Sequence, residues 1–493
     1  MTTSTPDAGA PVRRERTFFG QPWSLVHIFG VEMWERFSYY GMQAVLAFYL
    51  VYSVSEGGLG LPQTTGASIL GAYGGAVYLA TVLGAWLADR ILGSERVLFY
   101  SAIVVMLGHI ALAVLPGFSG VIVGLLLIAV GSGGIKANST AIVGTLYEEK
   151  DPNRDAGFSL FYLGINLGAF LGPLLTGALQ TSLGFHYAFG AAALGMAIGL
   201  TQYAIGRRSL PDTAREVPNP LGLRGRLLML GIAVVTVIVV VALVLLGVLN
   251  DGTIALAVVV VTAAAAIAYF IVILTSSRTD HTERRRVLSF IPMFLTSVAF
   301  WALYQQQFTV IPFYADNQTD LDVFGFDVPP AWVQSINPIF IIILSGVFAA
   351  IWTKLGDRQP ATPYKFGAAV VIMGVAFLLF LPFANSGQNG TPLLALAGIL
   401  LVFTVAELLL SPVGLSLSTK LAPRAFRTQM VALFYLSVAL GTALSGQLAT
   451  FYGTGTPGEQ VPYFGISGIV AIAVGVALII ATPWVRKLMS GVK

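Results

Sequence analysis

Fourteen apolar runs, each long enough to cross a bilayer, divide this chain from a first run at 23–52 to a last at 462–485. About 20 apolar residues of helix match the hydrocarbon thickness of a membrane. Inside that layer every backbone N–H and C=O must be satisfied by the segment itself, so successive runs of this kind can fold only as packed helices. Composition excludes a soluble alternative: 10% of the residues are charged, where a soluble domain carries about 25%. The expected fold class is an all-α membrane protein of fourteen transmembrane helices.

Cytoplasmic loops collect Lys and Arg, and the basic residues divide accordingly. Apart from Arg36 and Lys136, deep within runs, they fall in the two tails or in the even-numbered connections, such as ADRILGSER, EEKDPNRD and TERRR. The connections GFSG, ADNQTDLDVFGFD and NSGQNG carry none. Both termini are therefore expected in the cytoplasm, with the protein in the cell membrane. The net charge of +4 reflects this topology and calls for no nucleic-acid partner.

The segment RRERTFFG near the start resembles a twin-arginine signal. The run after it is too long for a signal peptide and holds Glu32, Glu35 and Arg36, so no cleaved leader is expected. The chain has no cysteine and four scattered histidines, which argues against disulfides, a cysteine nucleophile or a metal site. GSGGIKANST lacks the Lys-Ser/Thr pair of a phosphate loop, and its glycines suit close helix packing. No enzymatic constellation emerges, and no cofactor is expected.

The chain repeats itself. LFYLGINLGAFLGPLLTG begins at Leu160 and LFYLSVALGTALSGQLAT at Leu433, an offset of 273 that also carries Glu32 to Gln305 and Lys136 to Leu409, two residues from Glu407. A duplicated bundle explains matching polar positions in both halves. The surplus runs at 223–250 and 253–275 are purely apolar at their centres and read as a lipid-facing hairpin. The expected organisation is a tail over 1–20, a six-helix bundle over 21–206, a linker with the inserted hairpin over 207–286, a second six-helix bundle over 287–485, and a tail over 486–493.

Five ionisable groups lie at depth: Glu32, Glu35 and Arg36, then Lys136, then Glu407. At about 3 kcal/mol each, isolated charges would oppose insertion by on the order of 15 kcal/mol, so they must face one another or water. Three acids against two bases leave one carboxylate unmatched, a natural proton carrier. Glu32 and Arg36 are one helical turn apart, and Tyr39 and Gln43 continue the same face. Asn166, Asn337, Gln305, Gln306 and Gln307 add polarity, with Tyr39, Tyr40, Tyr78 and Trp301 beside them. The plainer alternative is an ion pair that locks two helices together, but this many polar groups exceed what packing requires.

EMWERFSYYG resembles the ExxERFxYYG signature of the proton-dependent oligopeptide transporters, within the major facilitator superfamily. GSGGIKANSTAIVGTLY with FSLFYLGINLGAFLGPL, ELLLSPVGLS, and GAWLADRILG resemble further motifs of that family, over residues 20 to 485. The resemblance implies proton handling by Glu32 and Glu35, coupled to Arg36 and Lys136, which would also attract a peptide carboxylate. It implies a peptide amino group near Glu407, hydrogen bonds from Asn166 and Asn337, and side-chain pockets lined by Tyr39, Tyr40, Tyr78, Trp301 and Tyr435. In four places the chain departs from the pattern. Gln43 stands where many members have Arg, Gln305 where an acid is usual, Ala137 where Pro is common, and Phe434 where Trp is frequent. With Gln43 and Gln305 both neutral, an amide pair is expected to serve as the outer latch, with Gln305 and Phe434 also lining the substrate site.

The expectation is therefore a monomeric proton-coupled symporter of di- and tripeptides working by alternating access. The alternative keeps the fold and carries another small organic solute, such as an amino-acid conjugate, an organic anion or a drug.

Overall fold

The computed structural model describes residues 17–148, 151, 153–248 and 253–492. Arg13, Arg14, Arg16 and Lys493, counted above among the basic residues of the tails, lie outside them, as do three residues of EEKDPNRD. The helices of the first half are α1 (Leu25–Val51), α2 (Gln63–Leu87), α3 (Ser94–Val114), α4 (Gly117–Thr145), α5 (Arg154–Leu183) and α6 (Phe185–Gly206). The inserted pair is α7 (Leu223–Leu245) and α8 (Ile254–Thr275). The second half has α9 (His281–Tyr304), α10 (Gln306–Thr309), α11 (Ile311–Gln318), α12 (Ile336–Leu355), α13 (Thr362–Leu378), α14 (Leu393–Lys420), α15 (Arg427–Ala449) and α16 (Pro457–Leu488). Among the described residues, thirteen helical segments are long and apolar enough to cross a membrane. α1 makes the fourteenth by length, since its 27 residues span about 40 Å at 1.5 Å each; three charges set it apart.

Two bundles result. α1 packs on α5 and α6, α3 on α4 and α6, and α2 on α4, while α13 packs on α14 and α16, and α9 on α15 and α16. α1 and α5 approach closely because Gly168 and Gly172 face the α1 backbone, where a Cβ would strike Met33 and Phe37 carbonyls. Thr176 Oγ1 then donates to the Gly41 carbonyl at 2.8 Å. This contact fixes the rotation of α1 and hence the direction in which its charged stripe points. Between the bundles α2 crosses α15, with Gly71 against Gly446 and no side chain in the way, the small-residue packing that membrane helices favour.

Two expectations are corrected. The first apolar run of the second bundle, expected as one helix over 287–314, is broken at Gln305 and Val310. Pro312 offers no N–H and its ring crowds the preceding turn, and the Gln306 amide takes the Ala302 and Ser445 carbonyls, each at 3.1 Å. Nor does the inserted pair face only lipid. α8 packs on α2 and α15 together, burying Ala255, Thr262, Ala266 and Ile273.

The segment after α6 is tied to the first bundle. Buried Glu95 receives Arg207 Nη2 at 2.9 Å, Arg215 donates to the Arg207 carbonyl at 2.7 Å, and the Asn219 and Leu221 amides bond the Asp89 and Arg90 carbonyls. Short strands complete the chain: β1 (Thr17–Phe18) pairs with β2 (Gln21–Pro22), β3 (Thr319–Asp320) with β6 (Thr391–Pro392), and β4 (Asp322–Val323) with β5 (Phe326–Asp327).

Candidate functional site

The stripe on α1 is buried: Glu32 and Arg36 are almost fully covered and Glu35 completely so. Arg36 Nε lies 2.7 Å from Glu35 Oε2 and 3.1 Å from Glu32 Oε1, and Ser132 of α4 donates to Glu35 Oε1 at 2.7 Å. Among the described residues, one guanidinium nitrogen, Arg36 Nη2, has no hydrogen-bond partner, and neither has Glu32 Oε2. A buried donor without a partner is costly, and an arriving anion would satisfy it.

Lys136 does not join this cluster. Its ammonium stands over the Tyr78 ring of α2, 3.8 Å from the centroid, and it makes no ion pair among the described residues. Tyr39 lies under Arg36 at 5.5 Å and packs edge-on against Tyr40 at 5.2 Å. The first bundle thus presents two cations framed by tyrosine rings.

The second bundle presents the acid. Tyr304, the last residue of α9, donates to Glu407 Oε2 at 2.6 Å and lies 3.3 Å from Asn337 Oδ1. Asn337 in turn donates to Thr404 Oγ1 at 3.0 Å. Lys136 and Glu407 are close enough for their charges to act on one another, and among the described residues they form no ion pair.

The remaining expected residues divide. Trp301 is buried edge-on against Tyr304 at 5.3 Å, and its indole N–H has no partner. Asn166 turns its amide onto its own helix, donating to the Tyr162 carbonyl at 2.9 Å. Phe434 is a packing residue, buried against Gly414 of α14, while its neighbour Tyr435 is half-buried and within the field of Glu32 and Arg36. The Gln43–Gln305 amide pair does not form in this conformation. Among the described residues Gln43 Oε1 is buried without a partner, and Gln305, at the helix break, meets Tyr78 instead.

The bundles are joined elsewhere. Tyr52, just past the end of α1, donates to Asp316 Oδ1 of α11 at 2.9 Å. Trp332 Nε1 donates to the Leu174 carbonyl at 2.9 Å, and Ser335 Oγ to the Phe170 carbonyl at 2.8 Å. These three side-chain bonds tie the bundles together alongside the Tyr78–Gln305 contact. Ser132, Tyr304, Tyr52 and Asp316 were not singled out from the sequence. Tyr304 carried one signal, its place between Trp301 and the glutamine cluster.

Two helical bundles that face each other, with cations on one, an acid on the other and side-chain bonds between them, define a secondary transporter of the major facilitator superfamily. The chain matches the POT family model over residues 95–462. It is 40% identical to the uncharacterized transporter YclF of Bacillus subtilis (strain 168), over 97% of each chain. It is 38% identical to a di-/tripeptide transporter of Lactococcus lactis subsp. cremoris, over 98% of this chain and 99% of the relative. A crystal structure of a peptide transporter POT in complex with sulfate superposes with a TM-score of 0.92 at 42% identity, covering 97% of this chain and 98% of that one. The chain belongs to the POT family.

Proposed function

We propose that this protein imports di- and tripeptides together with protons by alternating access, as a monomer with both termini in the cytoplasm. The observation that carries the reading is the division of charge between the two bundles. Arg36, with an unpartnered Nη2, and Lys136 stand on one bundle, and Glu407, held by Tyr304, on the other. A zwitterion requires a cation at one end and an anion at the other. At about 3.3–3.6 Å per extended residue, the ends of a di- or tripeptide lie only about 7–11 Å apart. The di-/tripeptide transporter among the relatives supports the same substrate class.

Glu32 and Glu35 take the coupling role. Both compete for one guanidinium, so a peptide carboxylate that draws Arg36 away leaves two buried carboxylates with one cation fewer, and a proton then relieves their repulsion. No cofactor enters this cycle; the coupling ion is the proton. Its inward movement supplies about 2.3 kcal/mol per 100 mV, with about 1.4 kcal/mol more per pH unit. With that topology, the half joined by Tyr52 and Asp316 faces outward. Counterflow of labelled dialanine in proteoliposomes, with amino acids, amino-acid conjugates and organic anions as competitors, tests the substrate class. Exchange that dipeptides fail to inhibit, while another solute class does, would overturn it.

A further inference from the structure

The segment RRERTFFG plays no part in the transport chemistry, yet its second half is built with care. Thr17 to Pro22 form a hairpin in which Thr17 pairs with Pro22 and Phe18 with Gln21, leaving Phe19 and Gly20 as the two turn residues at φ 50° and 78°. A two-residue turn with both central φ values positive favours Asn-Gly. A Phe in that left-handed region is strained, and such strain persists only where the surroundings enforce it.

Here they do. Phe18 turns inward onto Phe29 of α1, with ring centroids 5.3 Å apart. Tyr147, beyond the end of α4, donates to buried Gln21 at 3.0 Å, and Ser24 donates to the Ser209 carbonyl at 2.9 Å. The hairpin is thereby held against α1 and the end of α4, and Ser24, just after it, ties α1 to the segment following α6. Phe19 at its tip is left 81% exposed and nearby Trp23 42%. Large aromatics at the mouth of a span occupy the headgroup level of a bilayer, and three arginines, Arg13, Arg14 and Arg16, precede them in the sequence.

A second hairpin isolates the part played by charge. Asp322 to Asp327 have the same register and the same Phe-Gly turn, with Phe324 at φ 56° and Gly325 at 85°, but Asp320, Asp322 and Asp327 surround it. Anionic headgroups attract basic segments and repel acidic ones. The backbone device is shared; only the first hairpin has the charge to use it on an anionic surface.

We propose that the Thr17–Pro22 hairpin is a membrane anchor that seats Phe19 and Trp23 among anionic lipid headgroups on the face carrying the amino terminus. The chain has no native cysteine, so a spin label on Phe19→Cys, with one on Gln388→Cys as the aqueous reference, reports depth in vesicles directly. In vesicles of phosphatidylglycerol and phosphatidylcholine, the label at 19 is expected to be reached by oxygen more readily than by a water-soluble nickel chelate, and to shift toward the aqueous pattern in pure phosphatidylcholine. Equal chelate access at 19 and 388 would overturn the proposal, as would depth at 19 that ignores lipid charge. Phe19→Asn provides a second readout, because Asn accepts the left-handed backbone and the variant should fold. Phosphatidylglycerol added to detergent-solubilised protein should raise the melting midpoint of the unaltered chain by more than that of Phe19→Asn, and equal shifts would overturn the anchor.

Discussion

The ammonium of Lys136 rests on the Tyr78 ring at 3.8 Å, not on a carboxylate. That placement keeps the three acids from capturing both cations of the chamber, and leaves Lys136 available to an incoming anion. A cation over an aromatic face is worth about 0.5–2 kcal/mol. Tyr78→Leu should therefore raise the KM for dipeptide counterflow by about 2- to 30-fold, while Tyr78→Phe, which keeps the ring, stays within about twofold. Equal losses in the two variants would assign the effect to the hydroxyl and its contact with Gln305.

Coupling and binding should separate by mutation. Glu35→Gln removes the carboxylate held by Ser132 and Arg36, so proton-driven uptake should be lost while energy-independent exchange of bound peptide survives. Glu407→Gln should lose both, because the amine then meets no anion. Paired uptake and counterflow assays check the division; identical losses in both variants would contradict it.

The bond between Tyr52 and Asp316 makes the latch testable. A hydrogen bond of this kind contributes about 0.5–1.5 kcal/mol, so Tyr52→Phe should raise the outward-open population by about 2- to 12-fold, read as labelling of a chamber cysteine from outside. Asp316→Ala added to Tyr52→Phe should cost little more, a coupling that the double-mutant cycle measures. Additive effects would mean that the bond does not hold the bundles together.

The same pair predicts a pH dependence. Burial pushes the Asp316 carboxyl up from its ordinary value of 3.8; the Tyr52 hydrogen bond acts in the opposite direction and nearby Glu56 adds to the rise. The closed form thus binds this proton more tightly than a form in which Asp316 is solvated. The resulting preference for closure is fully present below the ordinary carboxylate value and is lost as external pH rises through the raised one. Asp316→Asn should flatten that profile while keeping an oxygen for Tyr52 to bond.

Orientation is checked by labelling. Exposed Ser119 and Gln388, replaced by Cys, should react with an impermeant thiol reagent applied outside, and Asn153→Cys should not. The reverse pattern would invert the topology.

The α1 stripe was legible because helical periodicity alone places Glu32, Arg36 and Tyr39 on one face, and because buried charge is too costly to be incidental. The Glu407 site was legible only as a lone acid. Its partner Tyr304 sits over a hundred residues away in sequence, and no local pattern links the two. The Gln43–Gln305 pair is absent from this conformation, where Gln305 meets Tyr78 and Tyr52 meets Asp316, partners that no local pattern in the sequence links. The break at Val310 had a visible cause in Pro312, which a hydropathy window averages away.

The crossing of α2 and α15 has a mechanical consequence. Where Gly71 meets Gly446 the two backbones touch, with nothing compressible between them. When the bundles tilt, this seam must part toward one face of the membrane, and lipid tails would follow into the cleft. α8 lies along it, and the Val258 side chain reaches the groove beside Gly75. The inserted helix is thus placed to cover the seam from the lipid side, packed on both helices that meet there.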